Sequence, residues 1–190
     1  DTGLTPLTTY HYRISTINIS GTSVAGGSQS IESFGPPDAP TNLIATSLTQ
    51  AHIKLDWTAP SDDNGATLSG YKIERGTDGT TFSVLVADTG NTNVTYTDTT
   101  GTAGTTYYYK VSSINTYGAG VASNIDSALS TDVPAQVTNL IVVAQINYEI
   151  DMTWTAPNNG GSAITGYKIE RSTDGTTFTD LVPTTGNQSV

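Results

Sequence analysis

The sequence predicts an all-β chain of tandem antiparallel β-sandwiches, one complete and two partial. Three observations carry that expectation. The chain repeats at an offset of about 97 residues, seen most simply in Trp57-Thr58-Ala59-Pro60 and Trp154-Thr155-Ala156-Pro157, and a fixed period marks an array of similar units. Short apolar alternations recur between clusters of Gly, Pro, Asn and Asp, the pattern of half-buried strands joined by turns. No helix is needed anywhere to place the apolar residues.

The repeat is detailed. Tyr71 to Phe82 reads YKIERGTDGTTF and Tyr167 to Phe178 reads YKIERSTDGTTF. Thr41-Asn42-Leu43-Ile44 returns as Thr138-Asn139-Leu140-Ile141, and Thr8-Thr9-Tyr10-His11-Tyr12 as Thr105-Thr106-Tyr107-Tyr108-Tyr109. Each copy of the latter is followed by an Ile-Asn pair, Ile17-Asn18 and Ile114-Asn115. These matches divide the chain into the back part of one unit at 1–36, a complete unit at 37–132 and the front part of another at 133–190. Val190 falls opposite Val94 and Asp1 opposite Asp98, so the two outer parts together account for nearly one further unit.

Strands follow in order within the central unit. Ile53, Leu55 and Trp57 alternate with Lys54 and Asp56, which puts the first three on a buried face and the two charges in water. Ile150, Met152 and Trp154 repeat the pattern. Tyr71 and Ile73 alternate with Lys72 and Glu74, and a strand carrying Phe82, Val84 and Val86 follows. Between them, the Asp78-Gly79 pair predicts a tight hairpin, because both residues tolerate positive φ. Val94 and Tyr96 mark a short strand, and Tyr107, Tyr109 and Val111 a long one. The last strand is placed near Val121 to Leu129.

Composition narrows the function. Asp and Glu outnumber Lys and Arg 17 to 7, for a net charge of -10, and the seven cations are scattered. Nucleic acid and anionic membrane surfaces are therefore not expected partners, since phosphate binding needs clustered Lys and Arg. The chain has no cysteine, which removes disulfides, thiolate metal ligands and a cysteine nucleophile together. No apolar run approaches the roughly 20 residues that a membrane-spanning helix needs.

About seven short strands in about 95 residues, with a Trp in an early strand and a Tyr just after a turn, resemble the fibronectin type III module. The residues carrying the likeness are Pro40 to Leu43, Trp57 to Pro60, Gly70 to Glu74, and Tyr107 with Val111. The resemblance implies an immunoglobulin-like sandwich in which Tyr107 and Tyr10 are the tyrosine corner, bonded back to the backbone upstream. Leu4-Thr5-Pro6 leads into Tyr10 in the family manner, whereas Gly101-Thr102-Ala103 precedes Tyr107, so a different corner loop is expected there. The repeats also look like modules of prokaryotic cell-surface and secreted proteins, which implies an extracellular or cell-surface location.

No residue set reads as a catalytic, cofactor-binding or metal site. His11 and His52 fall on the polar phase of their strands with no second ligand at metal spacing. Gly21-Thr22-Ser23-Val24-Ala25 ends in alanine where a nucleophile elbow needs glycine, and no helix follows. Gly118 and Gly120 have no helix behind them to cradle a phosphate. Asp62-Asp63-Asn64-Gly65 offers oxygen ligands, but its copy Asn158-Asn159-Gly160 has lost both carboxylates, so a turn is preferred to a calcium loop. Arg75-Gly76-Thr77-Asp78 carries an extra threonine relative to an Arg-Gly-Asp adhesion motif. The triplets at Asn18, Asn93 and Asn187 are as frequent as chance allows, and Lys54, Lys72, Lys110 and Lys168 fall on outward positions, unlike a buried isopeptide lysine.

The expected function is a non-catalytic structural or adhesive segment of a surface protein, fibre or filament, arranged head to tail with short linkers at Pro36–Pro40 and Val133-Pro134. The alternative is a spacer or carbohydrate-contacting accessory module of a large secreted glycoside hydrolase. A sugar platform needs exposed aromatic rings, and among the aromatic residues Tyr108 and Tyr117 are the main ones off the buried phase. Expected partners are neighbouring modules of the same or an identical chain, because neither outer part can bury its apolar face alone. A protein or polysaccharide ligand is a further possibility that the sequence does not identify.

Overall fold

The computed structural model describes residues 1–186; Asn187 and Val190 lie outside them. The chain divides into two compact units. One comprises Asp1–Ala45, Leu55–Tyr96 and Tyr108–Ser127, and the other Thr46–Lys54, Thr97–Tyr107 and Ala128–Val190.

Among the described residues sixteen strands are formed, and the only helical element is a 3-10 turn at Ile146–Tyr148. The first unit opens with β1 (Thr9–Tyr12), the short hairpin β2 (Ile17–Asn18) and β3 (Gly21–Thr22), and β4 (Gln29–Glu32). β1 and β4 pair antiparallel from Thr9↔Glu32 to Tyr12↔Gln29.

Two sheets follow in the central part. One has the order β5 (Thr41–Ser47), β6 (Ile53–Thr58), β9 (Thr95–Asp98). The other has the order β11 (Gly118–Ala122), β10 (Thr106–Asn115), β7 (Gly70–Gly76), β8 (Ser83–Val86), with β12 (Asp126–Leu129) also on β10. The period-2 reading of the strands places the core. Ile53, Leu55, Tyr71, Ile73, Tyr109 and Val111 are fully buried, and Trp57 nearly so. Trp57 meets Tyr71 edge-on, with centroids 5.0 Å apart, the arrangement that ring quadrupoles favour.

Burial pushes the Tyr71 phenol above its ordinary pKa, with the neighbouring Trp57 indole opposing the shift. Neither Trp57 Nε1 nor Tyr71 Oη has a partner with hydrogen-bond geometry among the described residues. The two therefore meet as an edge contact rather than through a bond.

Side chains cover one open strand edge. Asn124 accepts from the Leu43 amide at 3.0 Å and donates to the Leu43 carbonyl at 3.0 Å, and Asp126 accepts from the Ala45 amide at 2.8 Å. These bonds occupy groups on β5 that would otherwise template pairing with another chain. The expected last strand is two, broken at residues 123–125: the Ser123 amide still donates to the Val111 carbonyl of β10 at 2.8 Å, and Asn124 makes the bridge to β5.

The hairpin at Asp78-Gly79 is wider than expected. The last pair of the ladder is Arg75↔Ser83, and Asp78 Oδ1 organises the loop by accepting from the amides of Thr80 at 2.8 Å and Thr81 at 2.7 Å. Those amides hold the Asp78 carboxyl down at about 2. A register shift between Ile73 and Glu74 turns Val84 to solvent, while Phe82 lies under Lys110, 4.7 Å from ring centroid to Nζ.

In the second unit, β13 (Thr138–Ala144) pairs with β14 (Ile150–Thr155), and β15 (Ile169–Arg171) with β16 (Thr179–Val182). Trp154 and Tyr167 reproduce the edge-on contact at 5.0 Å and 71°. Leu140, Ile141 and Ile150 nevertheless remain more than half exposed. In the first unit, Ile14, Ile17 and Ile31 are likewise exposed.

Candidate functional site

One local geometry recurs where connecting chain meets the loop after β6 and the loop after β14. In the first unit, the Gly35 amide donates to the Asn64 carbonyl at 3.2 Å, and the Asp38 amide to the Asp62 carbonyl at 3.0 Å. In the second, the Asp132 amide donates to the Gly160 carbonyl at 2.7 Å, and the Ala135 amide to the Asn158 carbonyl at 2.9 Å. These are the same two bonds moved along by one repeat.

Both receiving loops are built alike. Asp62 Oδ1 accepts from the Asn64 amide at 2.8 Å and Asp63 Oδ1 from the Gly65 amide at 3.1 Å. Asn158 Oδ1 and Asn159 Oδ1 do the same for Gly160 and Gly161, each at 2.9 Å. Carboxylate and carboxamide are interchangeable here because each supplies one oxygen to a backbone amide two residues on, an Asx turn. Asn64 and Gly160 have φ 53° and 65°, and Gly65 and Gly161 have 86° and 83°. Glycine at 161 is required twice over, since a Cβ there would also meet the Gly104 amide nitrogen at 2.5 Å.

Asn115 ties the first of these loops to the sheet. Its side chain is 4% exposed, donates to the carbonyls of Gly35 and Asp63 at 2.9 Å each, and accepts from the Tyr117 amide at 2.8 Å. The preceding turn is shared by both copies as well. Thr5 N–H donates to Tyr10 Oη at 2.8 Å and Thr102 N–H to Tyr107 Oη at 3.2 Å, so both tyrosine corners form. The different corner loop expected before Tyr107 keeps the same bond, because that bond uses a backbone amide that any residue but proline supplies.

The residues weighed for chemistry are not brought together. His11 is exposed and His52 half-buried, on separate strands or turns. Among the described residues no group of three or more His, Asp or Glu is arranged to hold a metal ion. Asn18 and Asn93 are exposed, and Asn18 Oδ1 accepts from the Ser20 amide at 2.8 Å. Lys72 and Lys110 reach Glu74 at 3.2 and 3.7 Å, and Lys168 reaches Glu170 and Asp180 at 2.8 and 2.9 Å, all as surface pairs. Among the described residues no helix is long and apolar enough to cross a membrane.

A two-sheet antiparallel sandwich with a tyrosine corner and a Trp-Tyr core contact defines an immunoglobulin-like module. Residues 38–127 match the family model described as "Fibronectin type III domain", and over that span the chain is a fibronectin type III domain. The whole chain is 29% identical to Exoglucanase B of Cellulomonas fimi, of which it spans 15%. Over 89% of its length it is 28% identical to Usherin of Rattus norvegicus, of which it spans 3%. A crystal structure of an Fn3-like protein from Clostridium thermocellum is 30% identical, with 49% of this chain and 92% of that one covered and a TM-score of 0.41.

Proposed function

We propose that the chain is a run of fibronectin type III modules, divided at 1–36, 37–132 and 133–190, that forms a non-catalytic structural segment of an extracellular protein. The observation that carries this reading is the pair of backbone bonds made identically by the two connecting segments, Gly35 and Asp38 in one and Asp132 and Ala135 in the other. A flexible tether leaves its amides to water. These connections instead spend theirs on the first loop of the module that follows, in a geometry kept although Asp62 and Asp63 have become Asn158 and Asn159. Successive modules joined this way are held rather than merely strung, as a stalk or fibre requires. Partners are the neighbouring modules.

Hydrogen exchange tests the reading. The Gly35 and Asp132 amides are expected to exchange at least about a hundredfold more slowly than an unstructured amide, in keeping with an opening free energy of a few kcal/mol. Exchange of both at the unstructured rate would leave the connections as tethers and remove the basis for the proposal.

A second reading is favoured by the similarity to an exoglucanase along the whole chain. In it the same modules are accessory spacers within a secreted polysaccharide-degrading enzyme. The coding sequence on either side of this chain separates the two: a catalytic domain on the same polypeptide supports the spacer, and further repeats alone support the fibre.

A further inference from the structure

We propose that the hollow lined by Phe34, with the Tyr117 ring packed beside it, binds a neutral sugar unit of a polysaccharide, an assignment that goes beyond the connecting role and does not depend on it. The two rings lie 6.2 Å apart at 55° and are 53% and 52% exposed. Phe34 rests on Gly65, where a Cβ would collide with the ring. One side of the ring is therefore supported by the turn, while about half of the side chain stays open to solvent. Leu7, Glu32, Asp62 and Asn64 line the hollow with Phe34, no Lys or Arg lines it, and Tyr117 stands against the Phe34 ring beside it.

The second copy of the connection supplies an internal control. At the offset of Trp57 and Trp154, Phe34 corresponds to Thr131 and Glu32 to Leu129 at that second connection, and Tyr117 corresponds to Ser20 in the first partial unit. Asp132 and Ala135 make the same backbone bonds with Thr131 in place of the ring. Closing the connection thus needs no aromatic residue at the position of Phe34, so the half-exposed Phe34 ring serves another purpose.

The surrounding chemistry selects the ligand. A pyranose offers a C–H face to an aromatic ring and hydroxyl donors to carboxylate and amide oxygens, and such a mixture of rings with a few polar groups is how small-molecule sites orient a ligand. Bordering carboxylates, on a chain of net charge -10, repel a polyanion. A wholly apolar peptide would strip water from Glu32 and Asp62 without replacing their hydrogen bonds.

The test is a titration of the full chain with cellohexaose and, separately, chitohexaose, followed through backbone amide resonances. Binding is expected to move the amides of residues 33–35, 64–65 and 117 saturably with at least one of the two sugars. Phe34→Thr and Tyr117→Ser, which take the residues that other copies of the repeat carry, are each expected to weaken it about tenfold. Slow exchange of the Gly35 amide in Phe34→Thr shows that the connection has survived. The proposal is overturned if neither sugar moves these resonances at about 10 mM, or if the shifts persist unchanged in both variants.

Discussion

Asn115→Ala is expected to be among the most damaging polar-to-apolar changes in the chain. The side chain makes three bonds of 2.8 to 2.9 Å while 4% exposed, to the carbonyls of Gly35 and Asp63 and from the Tyr117 amide. A neutral hydrogen bond is worth about 1 kcal/mol net, and a buried polar group left without a partner costs about 1–3 kcal/mol. Three bonds lost, with the buried Gly35 carbonyl orphaned, give about 4 kcal/mol. At a urea slope of about 1–3 kcal/mol/M the midpoint falls by about 1–4 M. Urea unfolding followed by Trp57 fluorescence, with Trp154 replaced by Phe, reads the central domain directly.

Asn115→Asp sharpens the test. It keeps the acceptor for Tyr117 but sets a carboxylate against two carbonyls, so its folded pKa rises above the ordinary value of about 3.9. With the folded value raised, the added loss is absent below that pH and grows as pH rises through it. A loss under about 1 kcal/mol for Asn115→Ala, or a pH-independent Asn115→Asp, would refute the reasoning that this side chain ties the connection to the sheet.

Other outcomes follow from single contacts. Tyr107→Phe removes the acceptor of the Thr102 amide and is expected to cost about 1 kcal/mol in the same urea assay. Gly120→Ala drives a Cβ into the Pro37 carbonyl, and a loss of about 1–3 kcal/mol or more is expected from overpacking against backbone. Leu55→Ala empties a fully buried position, with an expected cost of about 2–5 kcal/mol. The Asp78 carboxyl, lowered to about 2 by the Thr81 and Thr80 amides, should show its carbon-13 titration midpoint there instead of near about 3.9. Because the folded value is depressed, its contribution is present above the ordinary value and lost as pH falls through about 2. Asp174, held by the amides of Thr177 and Thr176, is expected to behave the same way.

Much of this protein was legible in one dimension. Period-2 alternation through Ile53, Leu55 and Trp57, and again through Tyr107, Tyr109 and Val111, placed the buried face correctly because a strand's side-chain direction is a local property. The repeat exposed the Asx turns as turns: Asp62-Asp63 giving way to Asn158-Asn159 keeps the acceptor oxygen and loses the charge. Resemblance supplied the tyrosine corners, whose bond spans only five residues.

What escaped the sequence depends on residues far apart or on backbone that no side chain advertises. The turn at Gln50-Ala51, with φ 64° and 58°, and its copy at Asn147-Tyr148, with φ 63° at both residues, lack the Gly that ordinarily signals two positive-φ positions. Asn124 bridges β5 from 81 residues away, and nothing about an exposed Asn foretells which amide it will meet. Phe34 and Tyr117 lie still farther apart in the chain. Only the folding of the connecting segment onto the loop at Asn64 brings their rings to 6.2 Å: strand alternation marked Tyr117 as off the buried phase, and tertiary structure alone set Phe34 beside it.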